Sequence, residues 1–388
     1  MAITTQTEQT VPLLARLSGG RGDGWPLQFV TFDSAAVAAA EPQAVALTYW
    51  FDTAETAETW DSYRVAVRFT GRRLDVKGVP GPKDRFQVVA KVPDVRPGMG
   101  RVALTHRVTG VAPGRWKVDA VGVAALPASP GTGPTPQRRL GSAAALGQSL
   151  YGPVAALRAP GVVLGSWTAF VGAGALAGAA LQWTLARATG LPAAQVLVLA
   201  LVASLVGLVG AKVYYRLTHL SEKKGLISTG TSLQGFIIGA VIVFAAGAGL
   251  LHVPVGELLD ITVPALLLGQ AIGRLGCFFA GCCTGLPTTS RWGLWSSDRQ
   301  IGVRRIPVQL MESASAAVLA GSTSMIVLLA PPTVDGVVFF AGLSAYVVVR
   351  QLLFPLRGLP RKTVHGRHVT LVTAVAVLLA AAAAGLLG

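Results

Sequence analysis

Acidic side chains are scarce in this sequence, and charge of either sign is rare. Only 13% of the 388 residues are Asp, Glu, Lys or Arg, and 52% are hydrophobic, whereas soluble domains carry about 25% charged residues. The composition therefore excludes an ordinary soluble protein. Charged residues occur throughout residues 1–140, but residues 160–388 are apolar runs separated by short basic loops. Two regions in two different solvents are predicted.

The scarcity of acidic residues gives the chain a formal net charge of +15, from 33 basic and 18 acidic side chains. Nucleic-acid binding is one interpretation of so basic a balance. Much of the positive charge, however, lies in loops that flank the apolar runs, and this placement is typical of contact with anionic lipid. We therefore expect a membrane and anionic phospholipid as partners, and no nucleic acid.

Cysteine is also rare, with three residues in the pattern C-x4-C-C: Cys277, Cys282 and Cys283. Zinc sites commonly use four ligands, often in C-x-x-C pairs, and no nearby His or carboxylate completes a set here. We predict neither a metal nor a cofactor, and a strained vicinal disulfide is equally disfavoured. The thiols are interpreted as small packing residues at a tight helix end, or else as a reactive thiol beside Arg274.

The first 140 residues lack the apolar core of a secretory signal peptide, so none is expected. Short β-rich segments separated by Gly, Pro and Asp predict a β-sandwich of immunoglobulin or fibronectin type over residues 1–125. A Pro/Gly-rich linker is predicted over residues 126–150. The strands are expected at residues 27–33, 45–52, 63–69, 86–92, 101–110 and 115–124.

Long apolar runs in residues 151–388 predict a mainly α, polytopic membrane helix bundle of about seven spans. Each run reaches or approaches the ~20 residues that are needed to cross a bilayer. The spans are expected near residues 161–183, 193–215, 232–251, 261–282, 307–330, 335–355 and 369–387.

Two arginines adjoin these spans. Arg274 follows the run Ile261–Ile272, and Arg305 precedes the run Ile306–Ala330. An ionisable residue at membrane depth costs roughly 2.5–3.5 kcal/mol on insertion scales, so it is usually functional. Arginine binds phosphate bidentately and keeps its charge. We predict that both side chains contact the phosphate of a lipid headgroup.

Other polar residues and glycines accompany the arginines. Each polar residue, taken alone, has a purely structural explanation that needs no function, such as snorkelling, helix capping, or pairing of Glu312 with Arg274 or Arg350. The glycines serve close helix packing or give a headgroup access to backbone. Taken together, these residues favour a common substrate-binding cavity. Its predicted lining is Gly273, Gly276, Gly285, Gln309, Glu312, Tyr346 and Arg350, with Gln234 nearby.

Several motifs resemble those of the prolipoprotein diacylglyceryl transferase family, in the family's order, over roughly residues 150–388. Residues 273–285, GRLGCFFAGCCTG, resemble the signature GRxGNFxNxExxG, and residues 305–312, RIPVQLME, resemble RHPSQLYE. Further matches are residues 232–239 with SFHGGLIG, residues 260–264 with DxxAP, and Tyr346 and Arg350 with YGxxR, followed by Arg357 at a later arginine.

The resemblance implies an enzyme of the bacterial cytoplasmic membrane. Its reaction joins the thiol of a prolipoprotein lipobox cysteine to the diacylglyceryl group of phosphatidylglycerol and releases glycerol phosphate. The sequence departs from the family where acid–base chemistry is expected: Cys277 replaces the signature asparagine, Cys282 the glutamate, and Gln234 the histidine, while Phe354 replaces a late carboxylate. The implied catalytic positions are Arg274, Arg305, Gln234, Cys277 and Cys282.

Two alternatives remain open because of these replacements. One is a related phospholipid-dependent transferase with another acceptor, and the other is a non-catalytic phospholipid-binding membrane protein. Orientation is also open. The basic loops and the missing signal peptide favour a cytoplasmic β-domain under the positive-inside rule, whereas the resemblance favours an external one. We expect the external orientation, because headgroup binding also explains the basic loops.

Overall fold

The computed structural model describes residues 26–34, 40–53, 62–127, 141–218, 232–358 and 365–387. The chain divides into two compact units. The first comprises the described parts of Met1–Trp167, Cys277–Gln309 and Leu356–Leu359, and the second comprises those of Thr168–Gly276, Leu310–Pro355 and Pro360–Gly388. The predicted division at residues 125 and 150 differs from this one, because three segments of the expected membrane domain, residues 151–167, 277–309 and 356–359, belong to the first unit.

Two antiparallel sheets form most of the first unit. Their strands are β1 Leu27–Phe29, β2 Gln43–Asp52, β3 Tyr63–Arg73, β4 Arg85–Val95, β5 Arg101–Thr109, β6 Arg115–Pro127, β7 Ala143–Gln148, β8 Leu150–Tyr151, β9 Leu294–Ser297 and β10 Ile301–Arg305. One has the order β1-β2-β5-β10-β9 with β8 also pairing β2, and the other has the order β4-β3-β6-β7. The predicted sandwich is confirmed.

An apolar core joins the two sheets. Along β3, buried and outward residues alternate, as expected for a strand with one face on the core. Both sheets contribute fully buried aromatic side chains, among them Tyr49, Phe69 and Trp116. Val303 of β10 lies in the same core, so this late segment is a structural part of the sandwich.

The predicted linker over residues 126–150 is wrong for its C-terminal part. Strand β7 pairs with β6, and β8 pairs with β2. The sequence did not indicate these strands. The neighbouring residues are rich in Pro and Gly, and β7 itself is rich in alanine and carries no strong strand signal. The first two residues of the predicted linker, 126 and 127, end β6, and residues 128–140 lie outside the described residues.

In the part of the chain that the structure describes, seven helices are long and apolar enough to span a membrane. The prediction of a polytopic, mainly α membrane part is confirmed. Large apolar side chains such as Leu176, Leu205 and Leu250 are exposed on these helices, as expected for surfaces that face lipid. The helices are α1 Gly152–Leu157, which is short, and the seven spans α2 Ser166–Ala188, α3 Ala193–Thr218, α4 Leu233–Leu251, α5 Val255–Phe279, α6 Val308–Leu329, α7 Val337–Leu353 and α8 Gly366–Leu387.

The span ends differ from the predicted ones for local reasons. Helix α2 begins at Ser166 instead of residue 161, because Gly161 and Gly165 both have positive φ and interrupt the helix before it. Helix α5 begins earlier than predicted and includes Asp260. Its carboxylate accepts hydrogen bonds from the backbone N–H groups of Gly336 and Phe339 at 2.7 and 2.8 Å. Asp260 thereby caps helix α7, which accounts for a carboxylate within a span.

Candidate functional site

Arg305 closes strand β10, and its side chain is held rigidly. Its Nη2 donates to Asp298 Oδ2 at 2.7 Å and to the Ile301 carbonyl at 3.2 Å, and its Nη1 donates to the Gly285 carbonyl at 3.1 Å. Only 5% of the residue is exposed. Burial lowers the pKa of the Arg305 guanidinium, and Asp298 opposes that shift. The group remains a cation at neutral pH, because arginine starts from so high a value.

The Arg305 side chain retains donor capacity. A guanidinium carries five N–H donors, and the three bonds above engage only the two terminal nitrogens. The buried Nε has no hydrogen-bond partner among the described residues. A buried N–H of this kind is uncommon in native structures, and it marks a position where an anionic ligand can accept.

A tight hairpin orients the Arg305 loop. Asp298 Oδ1 accepts from the backbone N–H groups of Gln300 and Ile301 at 3.0 and 2.7 Å. Arg299 adopts a positive φ of 77° at the turn, and its Nε donates to the Ala280 carbonyl at 2.9 Å. Sequence reasoning missed Asp298. The signal was an Asp between two short β-rich runs, which is typical of a turn that an Asx side chain stabilises.

The β-sandwich braces the same hairpin. In β10, Ile301 and Gly302 pair with Leu104 and Ala103 of β5. The Trp295 ring stacks on Trp50 with centroids 5.6 Å apart. The N-terminal domain therefore fixes the strand that ends in Arg305, a role that the sequence did not reveal.

Arg107 of β5 adds a second brace to the hairpin. Its guanidinium donates to the carbonyls of Ala155, Arg158 and Arg299 at 2.5, 2.7 and 2.6 Å. Burial lowers the pKa of Arg107, and the positive charge of Arg299 lowers it further. Because the carbonyls come from two distant segments, one side chain ties the loop of β10 to the segment that precedes helix α2.

Gly285 is required by close backbone contact. A Cβ atom at this position would overlap the Ile306 carbonyl oxygen. Gly285 forms an isolated antiparallel bridge with Arg357, the arginine that matches the family's later one. For Gly273, in contrast, an added Cβ would meet only Val171 Cγ2, at 4.0 Å. The two glycines thus differ in what requires them.

The second unit contains a buried ion pair. Arg274 Nε lies 2.9 Å from Glu312 Oε2, and the two side chains are 8% and 1% exposed. The pairing of Glu312 with Arg274, one of the two partners considered from the sequence, is the observed one. Ser313 donates to the Ala271 carbonyl at 2.7 Å, and this bond ties helix α6 to helix α5 beside the pair. This charge-assisted contact holds the Arg274 guanidinium in place.

The remaining predicted residues are distributed over both units. In the first unit, Gln309 is 1% exposed and its Nε2 donates to the Cys282 carbonyl at 3.0 Å. In the second unit, Arg350 Nη1 lies 3.5 Å from the Tyr346 hydroxyl, consistent with their i, i+4 spacing. Gln234 is exposed, and its Oε1 accepts from the Ser232 hydroxyl at 2.6 Å. Substrate binding by these residues stays a prediction.

The three cysteines converge in the first unit. Their Sγ atoms all lie within 4.8 Å of one another. Contact with the thiols of Cys277 and Cys283, together with burial, raises the pKa of the Cys282 thiol above its usual range. A protonated thiol is a poor nucleophile, so this geometry gives no support to a reactive thiol that acts unaided.

Comparison with known proteins identifies the membrane part. The family model described as prolipoprotein diacylglyceryl transferase matches residues 154–387. The chain belongs to this family. The match leaves out strands β1 to β8, so most of the β-sandwich lies outside the family model.

Curated relatives agree with that assignment. A phosphatidylglycerol–prolipoprotein diacylglyceryl transferase of Dehalococcoides mccartyi is 39% identical over 108 residues, which are 26% of this chain and 42% of the relative. One of Clostridium tetani is 30% identical over 178 residues, 43% of this chain and 70% of the relative. A second enzyme of that name in Clostridium perfringens is 37% identical over 118 residues, 28% and 46% of the two chains. The chain thus spans less than half the length of the first of these relatives.

Proposed function

We propose that this membrane protein transfers the diacylglyceryl group of phosphatidylglycerol to a thiol and releases glycerol phosphate. The proposed acceptor is the lipobox cysteine of an exported prolipoprotein. The observation that carries this proposal is the buried Arg305 guanidinium, which is fixed by Asp298 and two carbonyls while its Nε lacks a partner among the described residues. Such a cation is suited to a phosphate.

The chemistry demands that kind of group. When the glyceryl carbon leaves the phosphate for sulfur, negative charge develops on the departing glycerol phosphate. Preorganised cations stabilise such charge most effectively where water is excluded. Asp298 and Gly285 hold Arg305 before substrate arrives, and Glu312 holds Arg274. In this proposal the Arg305 guanidinium acts on the phosphate, and it does not have to reorganise during the reaction.

Complementation of a bacterial strain depleted of its own transferase tests the function. The wild-type chain should restore thioether-linked lipid on a model prolipoprotein, as detected by mass spectrometry. Arg305→Ala should abolish this, and Arg305→Lys should rescue poorly because the planar fork is lost. The matched control is Arg304→Ala, since the neighbouring side chain points to the opposite face of β10. Full activity of Arg305→Ala would sink the phosphate assignment.

A transferase with another thiol acceptor is the second candidate. It is favoured by the cysteines and the glutamine that stand where the family motifs have asparagine, glutamate and histidine. Purified protein that consumes phosphatidylglycerol with a small thiol, but leaves lipobox peptides unmodified, would support it. Retained phosphatidylglycerol binding without any turnover would instead indicate a non-catalytic binding protein.

We further propose that the protein lies in the bacterial cytoplasmic membrane with its β-sandwich outside. Strand β10 pairs with β5, so the domain and the Arg305 loop share one side, and an exported acceptor requires that side to face outward. Protease added to intact spheroplasts should then remove the domain. Full protection until lysis would overturn the orientation and favour an acceptor at the cytoplasmic face.

A further inference from the structure

The turn after helix α5 gathers the three thiols. Cys277 lies in the last turn of the helix, and the Cys282 N–H donates to its carbonyl at 3.1 Å. Gly281 and Cys283 both have left-handed backbone, with φ of 64° and 55°, and this reverses the chain immediately after the helix. Gln309 fixes the turn through the Cys282 carbonyl. The three Sγ atoms consequently lie within 4.8 Å of one another.

This spacing is close to what one zinc ion requires. With Zn–S bonds of about 2.3 Å, sulfurs in a tetrahedral site lie roughly 3.8 Å apart, so the thiols need to approach by about 1 Å at most. Thiolates are preferred ligands of zinc. Among the described residues, the His, Cys, Asp and Glu side chains that group closely enough to hold an ion are these three cysteines. Three protein ligands leave the fourth position open, as in catalytic zinc sites.

The open position has an evident use. The carboxylates beside the matched motifs are already held by arginines, Asp298 by Arg305 and Glu312 by Arg274. Neither is therefore well placed to take the proton of an incoming thiol. A zinc ion removes that requirement, because a coordinated thiol is bound as the thiolate. We propose that Cys277, Cys282 and Cys283 form a three-thiolate zinc site whose fourth ligand is the acceptor thiol.

The zinc site itself is inferred from the spacing of the three Sγ atoms alone. The role of its fourth ligand also rests on the proposed function. Binding of zinc releases the three cysteine protons to water. The acceptor thiol displaces the zinc-bound water and gives its proton to solvent. Its sulfur then attacks the glyceryl carbon that carries the phosphate. A C–S bond forms, the C–O bond to phosphate breaks, and the electron pair leaves with glycerol phosphate. The neutral thioether is a weaker ligand, and water replaces it.

Metal analysis of the purified full chain tests the site without relying on activity. Wild-type protein should hold about one zinc per chain, and each of Cys277→Ser, Cys282→Ser and Cys283→Ser should hold less than half as much. Ser290→Ala is the matched control, because this exposed serine lies in the same loop, and it should retain full zinc. Size-exclusion profiles in detergent identify a variant that fails to fold, and Cys→Ala versions replace any such variant.

Cobalt substitution then reports the fourth ligand. The Co(II) protein should show sulfur-to-cobalt charge transfer that rises by roughly a third, from three thiolates to four, when a lipobox peptide is added. The same peptide with serine for cysteine should leave the spectrum unchanged. Absence of metal and of charge transfer, or a disulfide revealed by alkylation and mass spectrometry, would overturn the zinc site whatever complementation shows. Metal binding in a chain that fails complementation would count against the proposed acceptor alone.

Discussion

The buried pair of Arg274 and Glu312 separates stability from function. Replacing either residue removes the ion-pair partner of a buried charge, and such losses typically cost 3–5 kcal/mol. Glu312→Leu and Arg274→Met should therefore each destabilise the protein by about 4 kcal/mol, which corresponds to a drop in Tm of roughly 10 °C. The pair lies at 2.9 Å with side chains 8% and 1% exposed, so solvent screening does not reduce the effect.

The double variant gives the decisive comparison. Arg274→Met with Glu312→Leu fills a similar volume with apolar atoms, and replacing a whole buried pair in this way is often neutral or stabilising. Its Tm should return to within a few degrees of wild type, yet it should remain inactive in complementation because it lacks the arginine at the position of the family's GRxG motif. Thermal unfolding in detergent supplies the Tm, and Arg187→Met, at an exposed arginine at the end of α2, is the control. Unchanged Tm in both single variants, or activity in the double variant, would refute the reasoning.

Three further outcomes are expected. Arg107→Leu removes three hydrogen bonds to carbonyls, and it should lower Tm and expose the β10 hairpin to added protease, unlike Arg85→Leu on the exposed face of β4. Gly285→Ala forces a Cβ onto the Ile306 carbonyl, so activity should fall at least tenfold, while Gly273→Ala should be milder. Burial and the charge of Arg107 lower the pKa of His106 below 6.5. Because the folded state therefore binds this proton less readily than the unfolded state, Tm should fall as the pH drops below about 6.5. The dependence of Tm on pH should be flatter in His106→Gln.

Local patterns sufficed for much of the fold. The seven spans follow from run length and hydropathy, and six strands follow from alternation and turn residues, since both signals lie within the segments themselves. The fully buried Trp116 and the alternation along β3 belong to this class. The observed ends of the spans differ from the predicted ends where a single residue interrupts the helix, as at Gly165.

The pairing of strands that are distant along the chain could not be predicted from the sequence. Strand β10 joins β5 across about 200 residues of chain, and nothing in IGVRR identifies that partner. The same limit applies to Asp298, whose role depends on the position of Arg305, and to the convergence of three thiols around one turn. Among the site residues, the Arg274–Glu312 pair was foreseeable because both were apolar-flanked charges of opposite sign, which must find partners at membrane depth.

The central claim is phosphatidylglycerol-dependent transfer to a thiol, and reconstitution tests it most directly. Purified chain in vesicles that contain phosphatidylglycerol, incubated with a synthetic lipobox peptide, should add one diacylglyceryl group to the cysteine and release an equal amount of glycerol phosphate. The serine peptide and the Arg305→Ala protein should give neither product. The account would be contradicted if the wild-type chain released no glycerol phosphate under conditions where a family relative is active.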